Sequence, residues 1–374
     1  MEAREALIAL NLIPGLGSVT IHRLLAVFES PERIFRASPV ALKELLGRFG
    51  TEEVIGRILS ADSGTELSAE LRRAERAGVQ MITLLDEPYP GLLKNIPDPP
   101  PVLYVKGTLL KEDEAAIAVV GTRRATPYGL NAARQFGRSL AQCGITVVSG
   151  LAEGIDGAAH EGALEAKGRT LAVLGHGLHF LFPSRHLKLA DRITESGALL
   201  SEFPMAAPGL KENFPRRNRV IAGLSLGVLV AEAPLKSGAL ITAREALEQG
   251  REVFAVPGSI FSDRSRGTHQ LLKEGAKLAE DVRDILEELG PALSSFVLSL
   301  SKDKQISQDE RCVEGLSEEE VKVYEAVPIG AGSTAESISR RAILNPGKLL
   351  SVLTELEMKG LVRQVPGQGY SRSS

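Results

Sequence analysis

The pattern of apolar and polar positions divides the chain into a helical start, an alternating middle and a short helical end. In residues 1–62 apolar side chains recur every three or four positions, which predicts short amphipathic helices. From about residue 115, short β-branched runs alternate with helix-length segments and glycine-rich turns, which is typical of strands and helices in alternation. The predicted strands cover residues 117–120, 145–149, 170–174, 198–201, 227–231 and 252–256.

Continuous apolar strands separated by helices indicate a parallel sheet that is covered on both faces. Residues 111–290 are therefore predicted to form one doubly wound α/β domain. Residues 63–110 are interpreted as a connecting segment that packs on this core domain. Residues 291–314 lose the periodicity and become rich in Ser, Lys and Asp, which predicts a linker.

The last segment, residues 315–374, returns to an ordered pattern. Ser317 is followed by three glutamates, which predicts a helix start, and Asn345 with Pro346 opens a second helix that runs through Lys359. A third helix is expected around residues 338–342, and residues 361–369 have the pattern of a β-hairpin. Three helices and a hairpin predict a winged-helix domain.

A glycine-containing turn at residues 13–17 raises a second possibility for the helical start. Its sequence, Ile-Pro-Gly-Leu-Gly, resembles a helix-hairpin-helix (a SAM/helix-hairpin-helix-like domain), in which glycines bring backbone amides close to a phosphate. A turn that only connects helices within a small bundle fits the same residues at least as well.

The chain contains 37 glycines among 374 residues, above the ~7% average, and many of them follow predicted strands. Ligands bind at the carboxyl edge of a parallel sheet, where helix N-termini present unpaired amides, so these turns predict an anion-binding surface. The glycines concerned are Gly121, Gly150, Gly175, Gly177, Gly238 and Gly258.

Common nucleotide-binding and hydrolase motifs do not fit. The segment Gly175-His176-Gly177 lacks the third glycine of the dinucleotide motif, and the P-loop pattern does not occur. Residues 223–227 match the Gly-x-Ser-x-Gly elbow, but a helix precedes the serine and a strand follows it, the reverse of what the elbow requires. We therefore reject Ser225 as a nucleophile.

The cysteine and histidine content predicts no metal and no cofactor. Cys143 and Cys312 are too few for a disulfide framework or a thiolate metal site, and the six histidines have no metal-ligand spacing. Asp156 and His160, at i and i+4 of a predicted helix, are expected to form a structural pair. Because there is no apolar run of membrane length and no signal peptide, the sequence predicts a cytoplasmic protein.

The formal charge of −3 argues against nucleic-acid binding when it is taken over the whole chain, yet basic residues cluster at the glycine turns. Arg123 and Arg124 follow the first predicted strand, residues 211–219 carry four cations against one acid, and Lys236 lies in the turn after the fifth strand. A basic strip of this length suits a polyanionic backbone, and single strands add stacked bases, for which Phe203 and Phe214 are the candidate rings. A solvated basic face is the alternative.

Several long motifs resemble the DNA-processing protein A (DprA, or Smf) family. They are VVGTRRATPYG at residues 119–129, SGLAEGIDGAAH at 149–160, FPRRNRVIAGLS at 214–225 and SGALITAREALEQGREVFAVPG at 237–258, together with the Asp-Pro-Pro-Pro segment from residue 98. The resemblance covers nearly the whole chain. It implies a helical N-terminal domain, an extended Rossmann-like fold and a winged-helix tail.

The resemblance also implies a function. Family members are non-enzymatic proteins that bind and protect single-stranded DNA, load the RecA recombinase onto it during natural transformation and recombination, and form dimers through the Rossmann domain. On the matching motifs, the phosphate contacts would come from Arg123, Arg124, Arg216, Asn218, Arg219 and Lys236. One departure occurs at residues 182–186, Phe-Pro-Ser-Arg-His, where the family often has Tyr-Pro-Lys-x-Asn and Arg185 is displaced by one position.

Taken together, the turns, the basic strip and the resemblance predict one DNA-binding set. Its members are Gly121, Thr122, Arg123, Arg124, Ser149, Gly150, Arg185, Phe214, Arg216, Arg217, Asn218, Arg219, Lys236, Ser237 and Gly238.

Two further functions are weighed against this prediction. The tail helix from Asn345 to Lys359 offers only two lysines against two glutamates, so a protein-contact or autoregulatory role is as plausible as duplex reading. An enzyme of the nucleoside-monophosphate phosphoribohydrolase type shares the sheet, and residues 256–258 with 267–268 echo its late motif. The catalytic acid of that motif is missing here.

Overall fold

A computed structural model describes residues 2–47, 50–60, 65–179, 183–290, 293, 317–327, 333–342, 344–359, 361–365 and 369–372. The chain divides into two compact units, residues 1–296 and 297–374. Nearly all of the predicted linker, 291–314, lies outside the described residues, as do Cys312 and Phe182.

The described residues of the first unit place nine strands in one sheet. In chain order these are β1 Val79–Thr83, β2 Val102–Gly107, β3 Ala116–Gly121, β4 Thr146–Ser149, β5 Thr170–Leu174, β6 Ala198–Ser201, β7 Gly227–Glu232, β8 Glu252–Ala255 and β9 Lys277–Leu278. The spatial order is β1-β2-β6-β5-β4-β3-β7-β8-β9. All six predicted strands are confirmed.

Thirteen helices are labelled in the described part of this unit. They are α1 Ala3–Leu12, α2 Ser18–Phe28, α3 Pro31–Phe35, α4 Pro39–Leu46, α5 Glu52–Ser60, α6 Thr65–Arg76, α7 Gly91–Lys94, α8 Pro127–Gln142, α9 Ile155–Glu165, α10 Leu187–Ser196, α11 Asn213–Gly223, α12 Ala239–Glu248 and α13 Arg266–Lys273. A further helix occupies residues 282–290.

The sheet is doubly wound, as predicted, because alternate residues of its strands pack into cores on opposite faces. Ala118 and Val120 of β3 pack with α7, α11, α12 and α13, whereas Ile117 and Val119 pack with α8, α9 and the 282–290 helix. Helices α6 and α10 extend the second of these layers over β1, β2 and β6. The strands are buried on both faces, which explains their continuous apolar sequence.

Two strands that the sequence did not predict lie in the segment interpreted as a connection. Strands β1 and β2 pair antiparallel, and β2 pairs antiparallel with β6. The remaining pairs of the sheet are parallel. β2 begins directly after the prolines at residues 99–101. Proline has no N–H to donate to a neighbouring strand, so it is tolerated just before a strand but not within a central one. The segment 63–110 thus forms one edge of the sheet.

Helices α1 to α5 have their own apolar core and are fastened to the sheet domain by buried polar contacts. Arg219 on α11 donates to Glu202 Oε2 (2.6 Å), to the backbone oxygen of Asp98 (2.6 Å) and to Ser18 Oγ (3.2 Å). His22 Nε2 donates to the backbone oxygen of Pro99 (2.8 Å). The turn at residues 13–17 leads into α2, and the first residue of α2, Ser18, accepts a hydrogen bond from Arg219 of the sheet domain.

The second unit is a winged-helix fold, as predicted. Its helices are Glu318–Ala326, Ala335–Ala342 and Pro346–Met358, and strands β10 Val362–Val365 and β11 Gly369–Arg372 form an antiparallel hairpin. Ser317 caps the first helix in a reciprocal pair with Glu320, and the Asn345 side chain caps the third. Both starts were predicted from the sequence.

We expect Arg219→Ala to destabilise the protein by about 3–5 kcal/mol, because it leaves the buried Glu202 carboxylate without its guanidinium. Urea unfolding measures the change. Arg33→Ala, which removes an exposed ion pair with Glu29, is the matched control and should change the unfolding free energy by less than about 1 kcal/mol. Equal midpoints for the two variants would show that the buried Arg219–Glu202 pair contributes no more to stability than an exposed ion pair does.

Candidate nucleic-acid interface

The order of the strands reverses at β3 and β7, which are neighbours although four crossovers separate them along the chain. The loops that leave these two strands turn to opposite sides of the sheet and open a crevice, which is where open α/β sheets bind ligands. A cleft of about 570 Å³ lies here. Its walls are the loop after β3, the first turns of α11, and the turn between β7 and α12.

Ten of the fifteen predicted site residues line this cleft. They are Gly121, Thr122, Arg123, Arg124, Phe214, Arg217, Asn218, Lys236, Ser237 and Gly238. Segments more than 100 residues apart in sequence thus meet at one place. The prediction that the basic groups share one edge of the sheet holds for these residues.

The rim of the cleft is cationic. Arg123, Arg124, Lys211 and Lys236 line the cleft and are exposed. The acid in the lining, Asp156, is buried, and burial raises the pKa of its carboxyl while Arg217 acts in the opposite direction. Positive charges on a concave wall focus the field and favour an anionic ligand.

Arg217 lies beneath the cleft, not on its surface. Its guanidinium donates to the backbone oxygens of Gly150 (2.7 Å) and Val173 (2.5 Å), and its Nε donates to Asn218 Oδ1 (3.2 Å). Burial lowers the pKa of Arg217 to about 10, so the group stays charged at neutral pH. It ties α11 to the ends of β4 and β5 and adds a fixed positive charge under the floor.

The two candidate stacking rings have different surroundings. Phe214 is half-buried, with the Arg123 guanidinium 4.9 Å from its ring centre, and it separates the cleft from a smaller pocket of about 210 Å³. Phe203 is buried, and Arg216 lies over it at 5.1 Å. Phe203 therefore has no free face for a base, and this part of the prediction is wrong.

Five predicted site residues do not line the cleft. The Ser149 hydroxyl is buried and donates to the backbone oxygen of Val119 (2.6 Å). Arg185 is exposed and pairs with Glu153 (3.0 Å). Arg219 is buried in its contacts with Glu202, Asp98 and Ser18, so its assignment as a phosphate contact is corrected to a structural role.

The other two of these five, Gly150 and Arg216, lie next to the cleft. Gly150 lines the smaller pocket, and a Cβ at this residue would come within 2.2 Å of Arg217. Arg216 is half-exposed, stacks on Phe203 and lies 3.7 Å from Glu202. Alternate residues of the basic run thus point to different parts of the molecule, because a helix turns by about 100° per residue.

Most of the glycines at the sheet edge serve close packing, not anion binding. A Cβ at Gly175 would come within 2.9 Å of the Phe214 ring, and one at Gly121 within 2.4 Å of Ile155. At Gly238 no atom of the described residues lies within 4 Å of that position. The backbone is therefore open to a ligand at Gly238, in the turn beside Lys236.

The N-terminus of α8 already holds an internal anion. Glu232, at the end of β7, accepts from the Thr126 amide (2.8 Å) and hydroxyl (2.6 Å), and its backbone oxygen accepts from the Thr122 amide (2.8 Å). This carboxylate occupies the place that a phosphate takes in many Rossmann folds. The start of α8 is therefore not free for a phosphate, and the side-chain cations are the main anion-binding groups that the cleft presents.

Some predictions about neighbouring residues are settled by these contacts. Asp156 and His160 do not pair, since His160 Nδ1 donates to Thr170 Oγ1 (2.7 Å) and burial lowers the pKa of this imidazole to about 3. Ser225 follows a helix and precedes a strand, and its hydroxyl donates to the backbone oxygen of Ile221 (3.0 Å). The rejection of a nucleophile elbow is confirmed.

The sequence prediction did not include Arg264 and Lys211 among the site residues. Arg264 follows β8 and reaches Thr122 Oγ1 at 3.5 Å, so a third loop adds a cation to the cleft. No motif marks this arginine. Lys211 belongs to the basic run but precedes α11, and its position at that helix start could have been recognised as a cation at the sheet edge.

In the winged-helix unit, the lysine on the third helix and the lysine that caps its end both pair with acids. Lys348 pairs with Glu319, and Lys359 pairs with Glu320 (2.5 Å). Recognition helices present free cations or amides to the groove. These lysines instead fasten the third helix to the first one.

The fold and this cleft define a class: an extended Rossmann-type protein with a cationic switch-point cleft and a winged-helix unit. Residues 80–290 match the family model of DNA recombination-mediator protein A, and residues 314–368 match the DprA winged-helix domain. The chain belongs to the DprA/Smf family, whose members are DNA-processing and DNA-binding proteins.

Relatives and solved structures agree with this assignment. Protein Smf of Escherichia coli is 43% identical over 302 residues, which is 80% of this chain and 78% of that protein. The DNA processing protein DprA of Bacillus subtilis is 46% identical over 57% of this chain and 72% of its own length.

Among solved structures, DprA of Streptococcus pneumoniae superposes with a TM-score of 0.67 at 36% identity, covering 77% of this chain and 99% of that one. A structure of DprA from Helicobacter pylori concerns the single-stranded DNA binding mode of that protein. It matches with a TM-score of 0.52 at 32% identity, over 58% of this chain and 98% of its own length.

Among the helices of the described residues, none has both the length and the apolar character that a membrane span requires.

Proposed function

We propose that this protein binds single-stranded DNA in the β3–β7 cleft, protects it, and loads the RecA recombinase onto it in natural transformation and recombination. The observation that carries the proposal is the set of exposed cations that three loops bring to one cleft, in a chain of net charge −3. The family assignment and the subject of the Helicobacter pylori structure support single-stranded DNA as the ligand.

The contacts we propose are divided between backbone and base. Arg123, Arg124, Lys211 and Lys236 contact phosphates, and the open backbone at Gly238 lets the strand approach closely. Phe214 offers an aromatic surface where a base stacks beside the Arg123 guanidinium. Arg217 and Asn218 hold the walls in place.

We propose a binding role, not a catalytic one. The residues that echo the phosphoribohydrolase motif are used by the protein itself. Gly267 donates its amide to the backbone oxygen of Ala233 (2.8 Å), and the buried Thr268 hydroxyl donates to that of Ser265 (3.0 Å). A nucleoside-monophosphate hydrolysis assay that detects turnover would favour the enzyme instead.

We place the protein in the cytoplasm, where RecA and incoming DNA meet.

Charge reversal of a cleft cation should weaken single-stranded DNA binding without unfolding the protein. We expect Arg123→Glu to reduce affinity for oligo-dT about tenfold or more in an anisotropy titration. The log–log salt slope should also fall in magnitude by about 0.7 for the lost phosphate contact. Arg72→Glu, an exposed position of α6 that does not line the cleft, is the matched control. Wild-type affinity in Arg123→Glu would rule out this cleft.

We also propose that two copies associate through the Rossmann-type domain. Leu235, Ile241 and Leu247 are exposed by 51%, 38% and 61%, and they line one groove of about 440 Å³ beside α12. Exposed apolar groups of this kind favour burial in an interface. In sedimentation velocity we expect a wild-type dimer and a Leu247→Glu monomer, with Val27→Glu as an exposed control that stays dimeric. A wild-type monomer at all concentrations would contradict the proposal.

RecA loading is tested on single-stranded DNA that is covered by a single-strand-binding protein. Addition of this protein should shorten the lag of RecA filament formation, which is followed through RecA ATP hydrolysis. Arg123→Glu should lose the effect, because the DNA must be held for the recombinase to be placed on it. An unchanged lag with wild-type protein would exclude a loading role.

A further inference from the structure

A turn that follows β8 presents two large apolar side chains to solvent. Ile260 is 77% exposed and Phe261 is 94% exposed, and the latter is the highest value among the large apolar side chains in the described part of the chain. The chain has 11 Phe, 5 Tyr and no Trp. An exposed phenylalanine ring offers a flat apolar face on which a nucleobase can stack.

The turn has a fixed conformation. The Ser262 amide donates to the backbone oxygen of Ser259 (3.0 Å), and the Phe261 amide donates to Ser259 Oγ (3.3 Å). These two bonds place Ile260 and Phe261 at the two corners of the turn. The apolar side chains are therefore held outward by local hydrogen bonds.

The base of the turn is anchored to the sheet domain. The Tyr128 hydroxyl donates to the backbone oxygen of Pro257 (2.6 Å), and His269 Nε2 donates to that of Gly258 (3.1 Å). Gly258 also packs against Ser265, which a Cβ would meet at 2.2 Å. The two exposed side chains thus stand on a rigid support.

The position of the turn places it next to the cleft. It leaves the carboxyl end of β8, which is the edge of the sheet where the cleft opens. Arg264 lines the cleft and contacts Thr122, and it follows Phe261 by only three residues. The two Cα atoms are therefore at most about 11 Å apart.

We infer that Ile260 and Phe261 form a base-binding tip: Phe261 stacks on a nucleobase, and Ile260 packs beside it, where a single strand passes out of the cleft. This inference rests on the proposed function. The cations of the cleft contact the phosphates of the strand, so its bases are unpaired and can stack on an aromatic ring. Inside the cleft that surface is limited, because Phe214 is half-buried and partly covered by Arg123.

A second copy of the chain fits the tip less well than a nucleobase. One phenylalanine buries about 150–250 Å², whereas a stable interface needs about 800 Å² from each partner. The residues around the tip are serines and the exposed Asp263–Arg266 ion pair, which do not enlarge the apolar area. One exposed ring beside a cationic cleft is sufficient for a stacked base.

The absence of tryptophan makes a direct test possible, because Phe261→Trp becomes a single fluorescent reporter. The two probes are oligo-dT and an abasic oligonucleotide of the same length, which has the same phosphates and no bases. Tryptophan fluorescence should be quenched by oligo-dT and not by the abasic strand. Val40→Trp, on an exposed position of α4, should respond to neither probe.

Removal of the ring should weaken binding only where bases are present. We expect Phe261→Ala to lower affinity for oligo-dT about tenfold and to leave affinity for the abasic strand unchanged. Val40→Ala is the control, and the exposed position of Phe261 means that the melting temperature should not change.

The outcomes separate this inference from the function on which it rests. Loss of oligo-dT binding in Arg123→Glu, together with wild-type affinity and no quenching in the Phe261 variants, would overturn the tip and leave the cleft. Failure of the wild-type protein to bind oligo-dT would overturn both. A sedimentation change in Phe261→Ala with unchanged affinity would assign the tip to contact between copies and overturn base stacking.

Discussion

The divergence of the chain at the β3–β7 pair is the constraint on which the rest of the site depends. β3 and β7 are parallel neighbours, and the strand order runs away from them in opposite directions. The loops that leave the two strands therefore turn to opposite faces of the sheet. Groups of the protein itself fix the walls of this crevice. Glu232 binds the amide and hydroxyl of Thr126 and so ties the loop after β3 to the end of β7, and Arg217 fixes α11 to the ends of β4 and β5. The cationic side chains therefore project from segments that are anchored at their bases.

Helix α11 distributes its arginines among three tasks. Arg217 points into the sheet domain, Arg219 points to the N-terminal helices, and Arg216 stays half-exposed over Phe203. The Rossmann-type sheet and the helical bundle are thus joined by the same helix that forms one wall of the cleft. The arginine that contacts the N-terminal helices and the one under the cleft floor lie within one turn of this helix.

The repeating features of the fold could be predicted from the sequence. Buried parallel strands are continuous apolar runs, and caps such as Ser317 and Asn345 carry local signals, so these elements were predicted correctly. Strand β1 was missed because it lies at the edge of the sheet and its apolar run is interrupted by the exposed Gln80. Strand β2 does carry a buried apolar run, Val102–Val105, but it follows three prolines and was interpreted as part of a connecting segment. For the site, sequence could identify the cations but not their directions. The direction of Arg219 depends on Ser18, about 200 positions away along the chain, and Phe203 is covered by Arg216 from another element.

The capping of α8 by Glu232 has a consequence for ligand choice. Rossmann-type proteins that bind dinucleotides rely on bare helix amides, which recognise a single pyrophosphate at a fixed point. Here that point is taken by the carboxylate of Glu232, at the end of the neighbouring strand β7, so a phosphate cannot dock at the start of α8 as it does in those proteins. The exposed cleft cations Arg123, Arg124, Lys211 and Lys236 lie on separate segments, so they do not define one fixed phosphate position. Several positive charges along one cleft match a ligand with a row of phosphates better than a ligand with a single pyrophosphate.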